Sequence, residues 1–394
     1  MPPSKSLNIL SSPILPATHA TICQVADDLC NGKLIGLPTE TVYGLACDAS
    51  NPKALANLFV LKNRPRSHPV IVHLQSADSV DDWAIDIPDC ARTLMQTFWP
   101  GPLTLVLKRA LHVSDAVTGG QETVALRVSA HDVLFNVLKA LQQIKNNRQT
   151  TQVSDPANQK ACTAGFLPID VLSVGIAAPS ANRFGRISPT RAGHVKDEFP
   201  EGLAAILDGG PCAVGIESTI VGFSHGNQPV ILRPGIITED SIQAALALDF
   251  CQKKGKPENN EALTVRVSGQ LSSHYAPNAA AFLIEKNELP QLIQKAVSAS
   301  KKVGVLAFSV KAKMDNEKER IATNQLVWHA MPLDPLAYAT QLYATLRQLD
   351  TLNCEVIFIE NPTDCLASLE KPQWAGIFDR LKRATAKSKS DDFL

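Results

Sequence analysis

The 394-residue sequence has no excess of charge, with 38 Lys plus Arg set against 38 Asp plus Glu. It therefore has no global field to hold a polyanion or an anionic membrane surface, and any nucleic-acid contact has to be local or weak. Aromatic residues make up only 5% of the chain, and none interleave with the basic motifs as base-stacking platforms require. Nowhere does the chain reach the ~18 consecutive apolar residues of a membrane span. Its opening stretch, MPPSKSLNILSSPILP, lacks the continuous apolar core of a secretion signal. The expectation is a cytoplasmic chain with no membrane association. Nine scattered cysteines form no Cys-x-x-Cys pair, which argues against the common zinc and redox spacings and leaves buried reduced thiols as the reading. Also absent are a Gly-x-x-x-x-Gly-Lys-Ser/Thr phosphate loop, a Ser-His-Asp order and any metal-ligand spacing.

What is present is enough apolar residue, 45%, for two cores in a chain too long for one. Thr18 can cap a helix ending at Asn31-Gly32, and Asn51-Pro52 opens a second, PKALANLFVLK. Strands are expected at GKLIGL, PVIVHL, LTLVLK, TVALRV, VGIAAP, AAILDG, STIVGF and PVILRPG, with helices from about His131 and from about Thr190, which reads as a helix cap. This is one mixed α/β domain over residues 15–240. Residues 142–168 are polar and aperiodic and read as a surface insertion. Residues 241–279, mixing charge with Gly and Pro, read as a linker. Beyond them AFLIE, KVGVLAF and CEVIFIE alternate with helices near Leu289, Pro335 and Gln373, which suggests a small doubly wound sheet over 280–390.

Three segments could carry chemistry. LPTETVYGLACD leaves a buried strand and places Thr39, Glu40 and Thr41 at its carboxyl end, where α/β ligands bind; taken alone, such hydroxyls more often satisfy nearby backbone. LKNRPRSHP has no acid among its basic residues, so Lys62 and Arg64 could be aimed at phosphate oxygens, with a solvated basic turn as the competing account. APSANRFGRISPTRAG gathers Ser180, Asn182, Arg183, Arg186 and Ser188 around one glycine, many donors with few apolar anchors. Later, Gly209, Gly210 and Gly215 precede Ser218 and Thr219 and could let backbone approach a ligand, or simply form a hairpin. His194 reads as a satisfied side chain. A basic, hydroxyl-rich inventory of this kind suits adenylyl transfer, in which an already charged oxygen attacks the α-phosphate and the protein positions reactants and neutralises charge.

Taken in order, PTETVYGLACD, LKNRP with HPVIVHL, WPGPLTLVL, ALRV, APSANRFGRISPT, STIVGF and LRPG resemble the YrdC-like threonylcarbamoyl-AMP synthases. With the HYAP stretch and a C-terminal α/β half, the chain is similar to the longer, two-domain form of that family. The resemblance implies a mixed twisted YrdC-like sheet, a smaller Rossmann-like accessory domain, and a linker that covers the active site. It implies conversion of ATP, bicarbonate and L-threonine to threonylcarbamoyl-AMP and pyrophosphate, with hand-over of the product to a tRNA threonylcarbamoyl transferase. By position, Thr39, His73, Arg127, Ala178 and Ser218 are implied for L-threonine. Lys62, Arg64, His68, Thr123, Ser180, Asn182, Ser188, Arg233 and Tyr275 are implied for ATP, with Lys62 and Arg64 acting on the reacting phosphates. His68 stands where the family usually has Asn, Gly222 where it usually has Asp, and Ser268-Gly269-Gln270 replaces its Pro-Gly-Met. Mg²⁺ is expected with ATP, its ligands unknown, and no organic cofactor. The rival reading is an RNA-binding protein with a YrdC-like domain and no adenylating activity.

Overall fold

The computed structural model describes residues 11–153, 173–224, 227–246, 265–269, 274–308, 325–365 and 372–386. Local chemistry sets the first elements. The Thr18 hydroxyl accepts from Thr21 N and starts the helix His19–Cys30. Asn51 accepts from Lys53 N and Ala54 N, and with Pro52 in the first turn it starts Pro52–Lys62. The second helix stops where Asn63 turns left-handed, φ 53°.

Ten strands make one mixed sheet: β1 (Ile14–Pro16), β2 (Ile35–Leu37), β3 (Gly44–Asp48), β4 (Ile71–Leu74), β5 (Leu103–Lys108), β6 (Thr123–Arg127), β7 (Gly175–Ala177), β8 (Ala205–Asp208), β9 (Thr219–Phe223) and β10 (Pro229–Arg233). Their order is β1-β8-β2-β3-β7-β4-β6-β5-β9-β10. Its central strands are buried on both faces, as expected of a sheet covered by helices on both sides. Four further strands, β11 (Ala280–Ile284), β12 (Val303–Ala307), β13 (Leu326–Ala330) and β14 (Val356–Glu360), form a separate, all-parallel sheet in the order β11-β14-β12-β13. The fold is thus α/β with a second, smaller doubly wound unit. Strands β1, β3 and β13 go beyond the expected set: β1 is three residues long, and β13 is only partly buried and holds Trp328 and His329, so neither shows a clear period.

Two expectations need correction. Residues 142–153 continue the helix Asp132–Val153 and do not begin a loop. Their polar side chains are used: Lys145 pairs with Asp48 at 2.6 Å, Arg148 with Asp27 at 2.8 Å, and Gln142 Oε1 accepts from Val174 N. Residues 154–168 lie outside the described residues. At the start of the 241–279 stretch, residues to Ala245 belong to the helix Glu239–Ala245. Of the cysteines whose side chains are described, all free of disulfides, Cys47, Cys212 and Cys354 are buried, whereas Cys23 is exposed and Cys30 and Cys90 are half-buried.

The two sheets share a core. Tyr338, Leu342, Tyr343 and Leu346 of the helix Pro335–Thr351, with Ile377 and Leu381 of Trp374–Thr385, pack against Val42, Ile187, Ile216 and Tyr275. Each such buried side chain contributes about 2 kcal/mol. Gly215 serves this interface and not a ligand. Its φ is +82°, and a Cβ there would lie 2.4 Å from the Ala339 carbonyl oxygen. Replacement of Gly215 by Ala should therefore lower stability by about 2 kcal/mol or more, from left-handed strain and backbone overlap together. Urea unfolding checks this, and an unchanged midpoint would contradict the close approach.

Candidate functional site

The sheet brings four backbone segments to one cleft. They are the turn after β2, the loop after β7, the entry to β9 and the end of β10. His73 on β4 and Arg127 on β6 are register partners and line it side by side. Gly44 allows the second segment to come close: it pairs with Ser180, and a Cβ on it would sit 2.9 Å from the Ala178 methyl.

The turn is tight because Thr39 Oγ1 accepts from the amides of Thr41 and Val42 and donates to the Val42 carbonyl at 2.6 Å. The backbone-satisfying account of this hydroxyl therefore holds, although Thr39 also lines the cleft. Thr41 Oγ1 accepts from Arg127 Nη1 at 2.9 Å, and Arg127 Nε donates to the Gly101 carbonyl. Glu40 lies 2.7 Å from Arg127 Nη2, a charge contact more than an aligned hydrogen bond, and accepts from Ser129. Burial alone would raise the Glu40 carboxyl. The Arg127 charge and these hydrogen bonds outweigh burial and hold it at about 2. Arg127 thus enters the cleft with its charge already matched.

Arg64 and Arg233 converge on one residue. Arg64 Nη2 donates to the Pro69 carbonyl at 2.8 Å and to Ser268 Oγ at 3.1 Å, while Arg233 Nη1 donates to the Ser268 carbonyl at 2.9 Å. Burial lowers the Arg64 guanidinium to about 10, which leaves it a cation at neutral pH. Arg233 also donates to the Ser218 carbonyl, and Ser218 Oγ shares a hydrogen bond with Thr104 at 2.7 Å. Ser268, Gly269, His274 and Tyr275, from the 241–279 stretch, complete the wall. Burial, reinforced by Arg127, pushes His73 down to about 3. Burial likewise takes His274 to about 3 despite the Glu217 charge. Both imidazoles are therefore neutral. Arg64 Nε, His73 Nδ1, His274 Nδ1 and the Tyr275 hydroxyl are buried in this wall with no hydrogen-bond partner among the described residues. Native interiors rarely leave such groups unmet, at about 1–3 kcal/mol each, so their convergence marks a place built for a polar ligand.

Of the residues assigned from the sequence, Thr39, Arg64, His73, Arg127, Ala178, Ser180, Ser218, Arg233 and Tyr275 line the cleft together. Five do not. Lys62 turns inward, fully buried, and donates to the carbonyls of Ser180 and Asn182, so it holds the 180–182 loop instead of facing phosphate; burial and then Arg64 lower its pKa far from the usual lysine range. Asn182 Nδ2 ties the same loop to the carbonyls of Arg183 and Arg186. Ser188 donates to Glu217. His68 packs edge-on against Phe184, centroids 5.4 Å apart, and over that ring stands Arg64. Thr123 begins β6 opposite Lys108, away from the cleft. Nor is Thr190 a helix cap: Arg191 holds that position, while the Thr190 amide donates to His194 Nδ1, which satisfies that histidine. The sequence places Thr41 at the strand end without giving it a ligand, and gives no role to Glu217, Ser268 or His274, all of which line the cleft. Glu217 had one signal, a lone acid in the uncharged stretch GIESTIVGF. Among the described residues no group of three or more His, Cys, Asp or Glu is arranged to hold a metal ion, and no helix is long and apolar enough to cross a membrane.

Comparison with known proteins identifies relatives along most of the chain. Residues 27–235 match the Sua5–YciO–YrdC family, described as "Telomere recombination", and residues 237–386 match the "Threonylcarbamoyl-AMP synthase, C-terminal domain". The threonylcarbamoyl-AMP synthase of Pyrococcus abyssi is 30% identical over 90% of this chain and 91% of its own, and that of Bacillus subtilis is 34% identical over 76% and 77%. The crystal structure of P. abyssi Sua5 complexed with L-threonine superposes with a TM-score of 0.72 at 28% identity, covering 96% of this chain and 98% of that one.

The two neutral histidines give stability a pH dependence with a definite sign. Near pH 6.5 the unfolded chain takes up protons that the folded cleft refuses until about pH 3. Unfolding free energy should therefore fall as pH drops from 6.5 towards 3, each histidine adding a slope that approaches about 1.4 kcal/mol per pH unit. Below 4.5 the depressed Glu40 and Glu217 add to the loss. Denaturant titrations at pH 7, 6 and 5 read this slope, and His274→Gln should flatten it by one histidine's share. A profile level from pH 7 to 5 would contradict the burial of both rings as neutral groups.

Proposed function

The chain belongs to the threonylcarbamoyl-AMP synthase family, an enzyme family of tRNA modification, and from that premise we propose that the cleft joins ATP, bicarbonate and L-threonine into threonylcarbamoyl-AMP with release of pyrophosphate. The observation that carries the reading is the set of unpartnered atoms on Arg64, His73, His274 and Tyr275 beside two buried cations. The amine of L-threonine takes up the bicarbonate carbon with loss of water, giving a carbamate. One carbamate oxygen attacks the α-phosphorus, the bond to the bridging oxygen breaks, and pyrophosphate leaves. The threonine ammonium loses its proton to solvent before this step, and the carbamate, already an anion, needs no general base for its attack on phosphorus. This fits a cleft whose wall carboxylate, Glu217, and whose neighbouring Glu40 are both paired.

Arg64 and Arg233 offset charge on the phosphates, where preorganised donors act most strongly. His73, as a neutral imidazole, with Thr39, Arg127, Ala178 and Ser218, takes the amino acid. His274 and Tyr275 exclude water from a mixed anhydride that water would destroy. Mg²⁺ bound to the triphosphate would neutralise phosphate charge, and among the described residues no group of three or more His, Cys, Asp or Glu is arranged to hold it. The product passes to a transferase that modifies tRNA.

Purified protein given ATP and bicarbonate should release pyrophosphate with L-threonine and much less with serine. Release that no amino acid stimulates would sink the reading. Arg64→Ala should raise the KM for ATP about tenfold or more, some 1.4 kcal/mol, with the KM for threonine nearly unchanged. His73→Ala should do the reverse. Indistinguishable kinetic profiles would remove the division of the cleft between the two substrates.

A further inference from the structure

The reaction as drawn leaves Glu217 without a task, yet this carboxylate is one of the most heavily engaged groups in the molecule. It stands in the cleft wall just before β9 and accepts from Ser188 Oγ, from the Tyr343 hydroxyl at 3.0 Å and from Arg380 Nε at 2.8 Å. Arg380, fully buried on the helix Trp374–Thr385, also donates to the Glu217 carbonyl at 3.2 Å, to the Pro234 carbonyl at 3.0 Å and to Asp379 at 2.8 Å. Tyr343 and Arg380 both come from the smaller α/β unit, while Ser188 and Glu217 come from the larger.

Both donors from the smaller unit also hold Tyr275. The Arg380 guanidinium stands 5.3 Å from its ring centroid, within cation–π range, and the Tyr343 ring stacks on it at 5.7 Å and 26°. Tyr275 needs holding: its φ is +61°, a conformation an aromatic residue resists, and its hydroxyl faces the cleft without a partner. The flanking amides reach out to both units, His274 N to the Arg383 carbonyl at 3.3 Å and Ala276 N to the Gly185 carbonyl at 3.1 Å.

We propose that Glu217 is a positioning residue, which fixes Arg380 and Tyr343 so that they press the Tyr275 ring into the cleft wall, and that the smaller α/β unit thereby finishes the substrate pocket without touching substrate. Only the activity readout of its test rests on the adenylating reading above.

The test is a cycle of Arg380→Met, Tyr275→Leu and the double variant in the full chain, with two readouts. In pyrophosphate release, Arg380→Met should raise the KM for ATP at least tenfold with kcat within threefold, and the double variant should be no worse than Tyr275→Leu alone. In ligand-free hydrogen exchange, Arg380→Met should speed the amides of His274 and Ala276 at least tenfold while those of β3 and β4 stay slow. Should Arg380→Met fold poorly because it strands a buried carboxylate, Glu217→Gln with Arg380→Met removes both charges and restores folding. The proposal then requires that the ATP KM and the exchange defect remain although the thermal midpoint has recovered. Additive KM effects, unchanged exchange, or recovery of KM with the midpoint would each overturn it. A wild-type chain that releases no threonine-dependent pyrophosphate would sink the adenylating reading and leave the exchange data to decide the role of Glu217.

Discussion

Glu217 and Arg380 are two full charges placed out of water 2.8 Å apart, one from each unit. Burial by itself would push the Glu217 carboxyl up, but Arg380, Arg233 and the hydrogen bonds around it hold it at about 2. Neither charge is tolerable alone in such a place, since stranding one costs about 3–5 kcal/mol. The rest of the interface follows from that. Arg347 repeats the arrangement nearby, pairing with Glu198 at 3.1 Å while donating to the Ile187 and Ser188 carbonyls. The apolar cluster around Tyr338, Leu342 and Ile216 then excludes the water that would weaken both pairs. A joint with fixed charges inside it has one register, which a purely greasy contact does not guarantee.

The cleft applies the same electrostatics with the opposite outcome. Glu40 and Arg127 cancel within its wall, the histidines are kept neutral by burial, and the lysine that the sequence places nearest is turned away to hold a loop. What stays cationic at the wall is a small number of guanidinium groups at fixed angles, suited to planar, multidentate recognition of phosphate oxygens. A site of this kind acts by placement and charge, with little proton traffic, and its protein groups hold one protonation state through the neutral range.

Much of this was legible in the residues, where the physics is local. Thr18 and Asn51 announce their helices because a cap is a hydrogen bond between near neighbours. β2, β4, β5, β6 and β9 announce themselves as apolar, β-branched runs. Failures came where the outcome depends on distant partners. Lys62 and Arg64 are two residues apart in one basic turn, yet only Arg64 lines the cleft, because Ser180 and Asn182, 118 and 120 positions away, offer carbonyls to Lys62. The polar surface of residues 142–153 looks like a loop until Asp27 and Asp48 are found opposite it. Gly215 looks like a ligand-approach glycine and is a docking glycine, because the helix it faces lies more than a hundred residues onward. Glu217 stood out as a lone acid in an uncharged stretch, but nothing near it in sequence pointed to its partner Arg380.

Ser268 bears on how any measured affinity is to be understood. Its hydroxyl and carbonyl occupy Arg64 and Arg233 in the unliganded chain. An incoming phosphate therefore does not meet bare cations. It enters an exchange against a tethered competitor whose effective concentration is set by the chain itself, and free sulfate or phosphate in the surroundings has to win the same exchange. Dissociation constants for this cleft are accordingly differences between two sets of hydrogen bonds. A weak constant for a small anion is compatible with strong guanidinium contacts, and on the proposed reading a triphosphate, with many simultaneous contacts, repays the displacement of Ser268 where a small anion does not.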